Sequence, residues 1–229
     1  MNYQLRGTGD TIGALYRKRF SDRELARKDE IWQVIVSQYL SKWIPRNAAV
    51  LDIACGCGEF LNHVSSREKT GIDINPNSRD FLNDDVVFHN MSALECEKLE
   101  KKFDVIFMSN LLEHFNSKKE IEMLFHKLHA LVEDDGIIII MGPNYRLVSG
   151  KYWDFWDHHI ALTDRSLCEI LGSSNFDIVK AIPAFLPFST KSLLPTHPML
   201  VSLYLHLPLI WPILGKQFLI VCRKQLPPE

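Results

Sequence analysis

The chain has 229 residues, of which 46% are hydrophobic, so it can bury a substantial core, and one domain over 1–229 is the simplest organisation. A formal net charge of -2 excludes a strong overall positive field, and we expect no nucleic-acid partner. Five cysteines without a C-x-x-C pair predict a reducing compartment, and the N-terminus has no apolar signal-peptide segment, so we expect a cytoplasmic protein.

Residues 1–47 precede the first predicted strand and are predicted to form a helical cap. Ser21 and Glu24 have the spacing of a capping box, which marks the start of a helix. Apolar residues then recur at helical spacing, at Ile31, Val34, Ile35, Tyr39, Leu40 and Trp43. The simplest interpretation of this stripe is a helix that packs on a sheet.

A strand, a glycine turn and the start of a helix follow in residues 50–60. The short apolar run at 50–53 contains too few residues for a helix and predicts a buried strand. Gly56 and Gly58 permit a tight turn and a close approach of a ligand to the backbone. From Glu59 the pattern becomes helical, with an apolar face formed by Phe60, Leu61 and Val64. Together these features predict a nucleotide-type pocket at the carboxyl end of the strand.

Two further positions indicate which ligand this turn binds. A dinucleotide site needs a small residue three positions after the second glycine, where this chain has Leu61, which argues against NAD. A second short strand at 71–73 ends in Asp73, about 20 residues beyond the first strand, where a carboxylate can accept both hydroxyls of a ribose. A site for a ribose without a pyrophosphate suits S-adenosylmethionine. Cys55 and Cys57 lie in the same turn, but nothing nearby completes a set of metal ligands, so we predict no metal site.

The rest of the chain alternates strands and helices, which predicts an α/β fold. Further strands are predicted at 86–90, 103–108, 137–141, 176–182 and 217–222, with helices at 121–131 and from Thr163 to about Leu171, and a turn at 134–136. Residues 183–216 form an insertion between the sixth and seventh strands.

Four motifs in this order resemble the class I S-adenosylmethionine-dependent methyltransferases. Residues 50–60 resemble their first motif, and 71–73 resemble their ribose-binding second strand. Residues 103–114 resemble their fourth strand and the segment after it, and 131–142 resemble their fifth strand with the turn before it. The resemblance covers about 45–182 and the last strand. It implies a Rossmann-like mixed sheet of seven strands in the order 3-2-1-4-5-7-6, flanked by helices.

The resemblance also implies which residues hold S-adenosylmethionine and its product, S-adenosylhomocysteine. The cofactor residues are then Asp52, Gly56, Gly58, Asp73 and Asn110, with Ile74, Met91, Ser92 and Leu111 as further members. Met91 and Ser92 match the adenine contact of the family by position. In similar enzymes an N-terminal segment folds over the cofactor, so Arg19 or Tyr16 is expected to meet the methionine carboxylate. A solvated surface charge is the alternative for Arg19.

The least generic segment lies between the fifth strand and the helix after it. Residues 152–159 hold four aromatic side chains, two acids and two histidines, a mixture typical of a loop whose aromatics are covered or stack on a substrate. Histidine titrates nearest neutral pH and is the natural general base for a hydroxyl acceptor. His158 and His159 follow the fifth strand and His114 follows the fourth, and both regions face the methyl group in related enzymes. We predict His158 or His159 as the base with Asp157 as its orienter, and His114 as a further candidate. A histidine that only holds the loop by hydrogen bonds is the alternative.

The expected function is methyl transfer from S-adenosylmethionine, by O-methylation of a small-molecule, sugar or lipid-linked acceptor with a histidine general base. An N- or C-methyltransferase remains an alternative, as does a catalytically silent cofactor-binding subunit of a partner enzyme. An NAD-linked oxidoreductase is disfavoured by Leu61.

The apolar segment 199–214 carries Leu200, Leu203, Leu207 and Trp211 at helical spacing, interrupted by Pro208 and Pro212. It is too short to span a bilayer. Packing on the domain is the simplest interpretation. Contact with a membrane surface, or with a second subunit in a homodimer, is the alternative.

Overall fold

The computed structural model describes residues 22–187 and 197–226. The strands are β1 (Ala49–Ile53), β2 (Glu68–Asp73), β3 (Val86–Asn90), β4 (Phe103–Ser109), β5 (Val132–Pro143), β6 (Phe176–Leu186) and β7 (Gln217–Lys224). The helices are α1 (Asp22–Gln38), α2 (Lys118–Leu131), α3 (Tyr145–Val148), α4 (Asp164–Ser173), α5 (Pro198–Leu205) and α6 (Trp211–Leu214). Ser21, the predicted cap of the first helix, lies outside the described residues, as do Tyr16 and Arg19.

All seven strands form one sheet in the order β3-β2-β1-β4-β5-β7-β6. Neighbouring strands from β3 to β5 are parallel, whereas β7 is antiparallel to both β5 and β6. This order and this mixed character are those implied by the resemblance, so the fold prediction is confirmed. Because the first five strands run in the same direction, their carboxyl ends meet at one edge of the sheet, where ligands bind in open α/β sheets.

The sheet separates two apolar cores, because successive residues of a strand point to opposite faces. On one face, Leu51 and Ile138 pack with helices α2 and α4. On the other face, Val50 and Ile139 pack with α1 and with the insertion before β7. The predicted apolar stripe packs into this core, with Ile35, Tyr39 and Leu40 buried and the other members partly buried against them.

The insertion leaves and rejoins the sheet at the edge that carries the strands' carboxyl ends. Gln217, the first residue of β7, pairs with Pro143 at the end of β5 and with Leu186 at the end of β6. Strand β6 thus runs four residues beyond the predicted end at 182, because its last residues still pair with β7, and the insertion begins at 187 rather than 183.

The predicted apolar stripe of the insertion is divided between core and surface. Trp211 is buried, and its indole N–H donates to the carbonyl oxygen of Tyr204 at 2.9 Å, which holds α6 against α5. The other members of the stripe are exposed, namely Leu200, Leu203 and Leu207. Among the described residues, no helix has the length and apolar character needed to cross a membrane.

Two local predictions are wrong. The predicted helix after Gly58 is a series of turns, although the Asn62 N–H donates to the Gly58 carbonyl oxygen at 2.9 Å. The Asn62 side chain forms hydrogen bonds with the backbone of Phe81 and Asn83. These tertiary contacts fix the conformation of the segment and compete with a regular helix. The predicted turn at 134–136 instead lies within β5, where the register against β4 shifts and the strand continues through an irregularity.

Candidate cofactor and acceptor site

The parallel strands bring the predicted cofactor residues to one edge of the sheet. Gly56 follows β1, Asp73 ends β2 and Asn110 follows β4. Asn110 has a φ of 51°, and its N–H donates to the carbonyl oxygen of Met141 at 3.0 Å, which ties the end of β4 to β5. The next residue, Leu111, is half-buried at the same edge.

The carboxylate of Asp73 joins the glycine turn to the end of β2. Its Oδ2 accepts the N–H of Gly56 at 2.9 Å, and its Oδ1 accepts the N–H of Asn75 at 2.8 Å. A carboxylate offers about four lone-pair positions, and the backbone of Ile74 also bonds to this one, so room for a ribose hydroxyl remains. The geometry therefore fits the ribose role predicted for Asp73. Ile74, which follows it, is exposed at this edge.

The turn after β1 depends on left-handed backbone conformations. The φ angles are 63° at Ala54, 55° at Gly56 and 76° at Gly58, a region that costs residues with a side chain about 1–2 kcal/mol. A Cβ atom at Gly58 would lie 2.7 Å from Leu82 Cδ2 and 2.9 Å from Asn62 Nδ2. The left-handed backbone therefore favours glycine at this position, in addition to the ligand approach predicted from the sequence.

Three carboxyl groups, those of Asp52, Glu59 and Asp73, crowd the turn, and their mutual repulsion favours protonation until a cation binds nearby. Asp52 is only 3% exposed, and burial, followed by repulsion from Glu59 and Asp73, raises its pKa well above the usual range. Burial also raises the pKa of Asp73, against the backbone hydrogen bonds that lower it. The Lys28 ammonium lies 2.6 Å from Glu59 Oε1 and balances one of these charges. Such a surrounding suits a cofactor that carries a sulfonium and an ammonium group.

The residues predicted to contact adenine follow β3. The N–H of Met91 donates to the carbonyl oxygen of Asp73 at 3.1 Å, which holds this segment beside the end of β2. The Ser92 hydroxyl accepts the N–H of Leu94 at 3.2 Å and caps the short helical turn Ala93–Leu99. Ser92 thus has a capping role, and adenine contact by Met91 or Ser92 stays a prediction.

Beyond Asn110 the chain forms a cluster of one glutamate and two histidines. Glu113, His114 and His158 each offer a carboxylate oxygen or a ring nitrogen, and these atoms lie within 4.8 Å of one another. The two imidazole rings meet edge to face, with centroids 5.2 Å apart. Glu113 is only 3% exposed, and burial raises the pKa of its carboxyl while the charge of His114 lowers it.

Asp157 contacts His114 through both its backbone carbonyl and its side chain. The Nδ1 of His114 lies 2.7 Å from the backbone carbonyl oxygen of Asp157 and 3.6 Å from its carboxylate Oδ2. Because a carbonyl oxygen only accepts hydrogen bonds, Nδ1 carries a proton, and in the neutral imidazole Nε2 keeps a lone pair. The contact joins two segments distant in sequence, and orientation of His158 or His159 by Asp157 stays a prediction.

Backbone hydrogen bonds and aromatic packing hold the cluster together. The carbonyl oxygen of Glu113 accepts the N–H of His159 at 2.8 Å and that of the next residue at 3.2 Å. The ring of His158 packs against Tyr152, with centroids 4.6 Å apart, and stacks on Phe155 at 5.0 Å. His158 is buried and His159 is exposed, so the first lies within the cluster and the second joins it through its backbone.

The aromatic side chains of segment 152–159 differ in their exposure to solvent. Tyr152 is fully buried, whereas Trp156 is 91% exposed. Glu113 was not among the residues predicted for the site, although an acid next to a histidine shortly after a buried strand is a signal that could have found it. No contact can be assigned to Arg19 or Tyr16, which lie outside the described residues.

Comparisons with known proteins agree with this geometry. The profile of a family described as "Methyltransferase domain" matches residues 22–181, and the chain belongs to this family. A SAM dependent methyltransferase from Archaeoglobus fulgidus has a TM-score of 0.63 at 20% identity, over 93% of this chain and 99% of that chain. The plantazolicin methyltransferase BpumL, in complex with a triazolic desmethylPZN analog and SAH, has a TM-score of 0.60 at 18% identity, over 95% of this chain and 91% of that chain. The cyclase SpnF has a TM-score of 0.59 at 15% identity, over 87% of this chain and 81% of that chain.

The fold, the site and the family together define an S-adenosylmethionine-dependent methyltransferase of class I. Its cofactor is S-adenosylmethionine. The solved structures show the shared fold alone, because their sequence identities to this chain are 20% or less. No curated protein sequence matches the chain significantly.

Proposed function

We propose that the protein O-methylates a hydroxyl acceptor, whose proton is taken up by the cluster of Glu113, His114 and His158. The observation that carries this proposal is the hydrogen bond of 2.7 Å between His114 Nδ1 and the Asp157 carbonyl oxygen. It leaves Nε2 as the basic nitrogen. Asn110 follows β4 at the sheet edge that carries the predicted cofactor residues (the cofactor edge), and His114 lies four residues further along the chain. The proposed base is therefore close in sequence to the predicted cofactor residues.

A hydroxyl acceptor needs such a base because it is too weakly acidic to react at neutral pH. S-adenosylmethionine supplies an activated methyl group on a sulfonium. The acceptor oxygen loses its proton to Nε2 of His114 as its bond to the methyl carbon forms and the C–S bond breaks. A positioned general base contributes on the order of 10²–10⁴-fold in rate.

Exposed apolar side chains favour an acceptor with a large apolar part. Trp156 lies two residues before His158 and is 91% exposed, so its flat ring is free to stack on an acceptor. The insertion adds further exposed apolar residues, namely Met199, Leu200, Leu203, Leu207, Leu209 and Ile213. The concentration of these exposed residues in one short insertion favours a binding surface.

We assign this surface of the insertion to a membrane with anionic headgroups, which would present a lipid-linked acceptor. Lys42 and Lys180 line a cleft of about 470 Å³ together with Pro208 and Trp211. Leu209, the residue after Pro208, is 90% exposed beside this cleft. Apolar side chains beside lysines suit a lipid surface, since the former enter the acyl boundary and the latter meet the lipid phosphates.

The proposed function is tested by the release of S-adenosylhomocysteine with a panel of acceptors, followed by mass spectrometry. We expect one methyl group on lipid-linked alcohols, and a slower reaction with water-soluble alcohols that carry the same hydroxyl. Methyl gain on amines alone would establish N-methylation instead. Cofactor binding in calorimetry, without turnover of any acceptor, would establish a silent cofactor-binding subunit.

A further inference from the structure

The cluster of Glu113, His114 and His158 has the composition of a metal site. One carboxylate and two imidazoles form a ligand set that zinc and other first-row divalent cations use in catalytic sites, with a position left open for water or substrate. Their ligand atoms lie within 4.8 Å of one another. In a tetrahedral site, metal bonds of about 2.0–2.2 Å separate the ligand atoms by about 3.3–3.6 Å, so side-chain movements of about 1 Å close the set.

The tautomer of His114 suits a ligand. Metal-binding histidines almost always donate their second ring N–H to a carboxylate or a backbone carbonyl, which fixes the ring and exposes the other nitrogen. His114 donates from Nδ1 to the carbonyl oxygen of Asp157 at 2.7 Å, with the Asp157 carboxylate 3.6 Å away. Nε2 is therefore the nitrogen that would bind a cation.

The two segments that carry the ligands are fixed relative to each other. Glu113 accepts two backbone N–H groups from the segment after His158. The ring of His158 is packed against Tyr152 and Phe155. A site held in this way has less conformational freedom to lose when a cation binds, which favours affinity.

Burial of Glu113 supplies an independent argument. The residue is 3% exposed, and a buried carboxylate is normally paired with a cation or coordinated to a metal. Its Oε2 lies 3.8 Å from the position that a Cβ of Gly142 would occupy, at the end of β5, so the carboxylate is at the cofactor edge of the sheet.

We propose that Glu113, His114 and His158 bind one divalent cation of the zinc class. Mg²⁺ is disfavoured, because it prefers oxygen ligands in an octahedral arrangement. This inference extends the proposed function and rests on it only for its catalytic consequence. An acceptor hydroxyl at the open position becomes more acidic, its proton leaves to water, the C–O bond forms and the C–S bond breaks. In the metal-free protein, His114 acts as the base instead.

The test measures zinc binding to the full chain without an acceptor, so that it does not depend on turnover. The protein is dialysed against a chelator and titrated with Zn²⁺ in a calorimeter, and Co²⁺ is added separately to record its visible absorption. We expect one site, with a tetrahedral Co²⁺ spectrum. His114→Asn keeps a donor for the Asp157 carbonyl but lacks Nε2, and it should weaken zinc binding at least tenfold. Glu113→Gln and His158→Asn should do the same.

Two control variants separate this site from general histidine binding. His159→Gln changes the exposed neighbour of the cluster, and His126→Gln changes an exposed histidine on α2. Both should bind zinc like the parent, and all variants should bind S-adenosylhomocysteine, which shows that they are folded. Equal zinc affinity in His114→Asn and in the controls would overturn the inference.

The two proposals fail in different ways. Zinc binding at the cluster without methylation of any alcohol would leave the metal site standing and refute the proposed function. Alcohol methylation that is unchanged after chelation, in a protein that binds no zinc, would refute the metal site and leave the proposed function with His114 as the base.

Discussion

The Nδ1 of His114 donates a hydrogen bond to the backbone carbonyl oxygen of Asp157 across 43 positions of sequence. This bond joins the segment after β4 to the segment after β5, beside the two backbone hydrogen bonds accepted by Glu113. It also fixes which nitrogen of the ring carries the proton. The aromatic segment 152–159 thereby becomes one side of the cluster at the cofactor edge.

The first prediction concerns this histidine. His114→Asn should lower kcat by about 10²–10⁴-fold, because it removes Nε2. This nitrogen either accepts the proton of the acceptor hydroxyl or holds the cation that makes the hydroxyl more acidic. The affinity for S-adenosylhomocysteine should stay within about twofold, since His114 is not among the predicted cofactor residues. Single-turnover kinetics and calorimetry measure the two quantities. His126→Asn on α2 is the matched control, and a variant with parental kcat would exclude His114 from the chemistry.

The second prediction tests the ribose assignment. Asp73→Asn should weaken binding of S-adenosylhomocysteine by about 10- to 150-fold, the equivalent of one charge-assisted hydrogen bond of about 1.5–3 kcal/mol. Asparagine keeps one acceptor oxygen for the N–H of Gly56 or Asn75, so the fold should survive. The exposed Asp80→Asn is the control. Calorimetry decides the matter, and parental affinity in Asp73→Asn would show that the ribose binds elsewhere.

Most of the fold could be predicted from the sequence, because its strands are short apolar runs that end in polar or glycine residues. The run before Gly56 and the run that ends in Asp73 identified β1 and β2, and the family resemblance supplied the strand order. The segment after Gly58 was predicted wrongly because its apolar spacing fits a helix, whereas contacts of Asn62 with a distant loop decide its conformation.

The candidate site was only partly predictable, for a related reason. Asp73 could be proposed as the ribose contact because its place at the end of a strand is visible in the sequence, and that role stays a prediction. The meeting of Glu113 with His158 could not, since it depends on backbone hydrogen bonds between two irregular segments. Asp157 was predicted as the partner of an adjacent histidine, whereas its contact with His114 crosses 43 positions of sequence and could not be inferred from local spacing.

The third prediction distinguishes two reasons for a glycine at position 58, namely the stability of the fold and the space that a ligand needs. Gly58→Ala should lower the free energy of unfolding by at least about 1–2 kcal/mol, because φ is 76° and the new Cβ would press on Leu82 and Asn62. Gly150→Ala is the control, since a Cβ there meets nothing within 4 Å. Denaturant unfolding without cofactor measures the effect. Unchanged stability with lost cofactor affinity would instead favour the ligand-space explanation.

The fourth prediction follows from the raised pKa of Asp52. The folded protein binds a proton at this group more tightly than the unfolded chain, whose carboxyl has a pKa near 3.9. Stability conferred by the protonated group is therefore present below about pH 4 and is lost as pH rises through the folded pKa. Asp52→Asn should then be more stable than the cofactor-free parent at pH 7, with the gain vanishing at low pH.

Thermal unfolding across this pH range tests the Asp52 prediction, with Asp80→Asn as an exposed control. The charged groups that face Asp52 are Glu59 and Asp73, and Lys28 pairs with Glu59. Saturating S-adenosylmethionine should reduce the advantage of the variant, because a cationic cofactor stabilises the ionised carboxylate. A variant that is less stable than the parent at pH 7 would mean that Asp52 is charged and paired without cofactor.

The last prediction concerns the exposed residues of the insertion. Leu209→Glu with Ile213→Glu should lower affinity for vesicles with anionic lipids by about tenfold or more, since each buried apolar side chain contributes up to about 1.5–3 kcal/mol. The two residues are 90% and 72% exposed, so cofactor affinity and stability should be unchanged. Vesicle flotation measures the effect, and Met123→Glu, an exposed position on α2, is the control.

Substitution of the two cleft lysines distinguishes binding to a lipid surface from binding to a second subunit. Lys42→Gln with Lys180→Gln should weaken binding to anionic vesicles more than to neutral ones, and the difference should shrink in high salt because charges are then screened. If light scattering reveals a dimer that Leu209→Glu with Ile213→Glu dissociates, and no variant affects flotation, the surface belongs to a second copy of the chain. Trp211→Glu is not a suitable probe of either partner, because the indole is buried and donates to Tyr204, so this change should unfold α5 and α6 from the sheet.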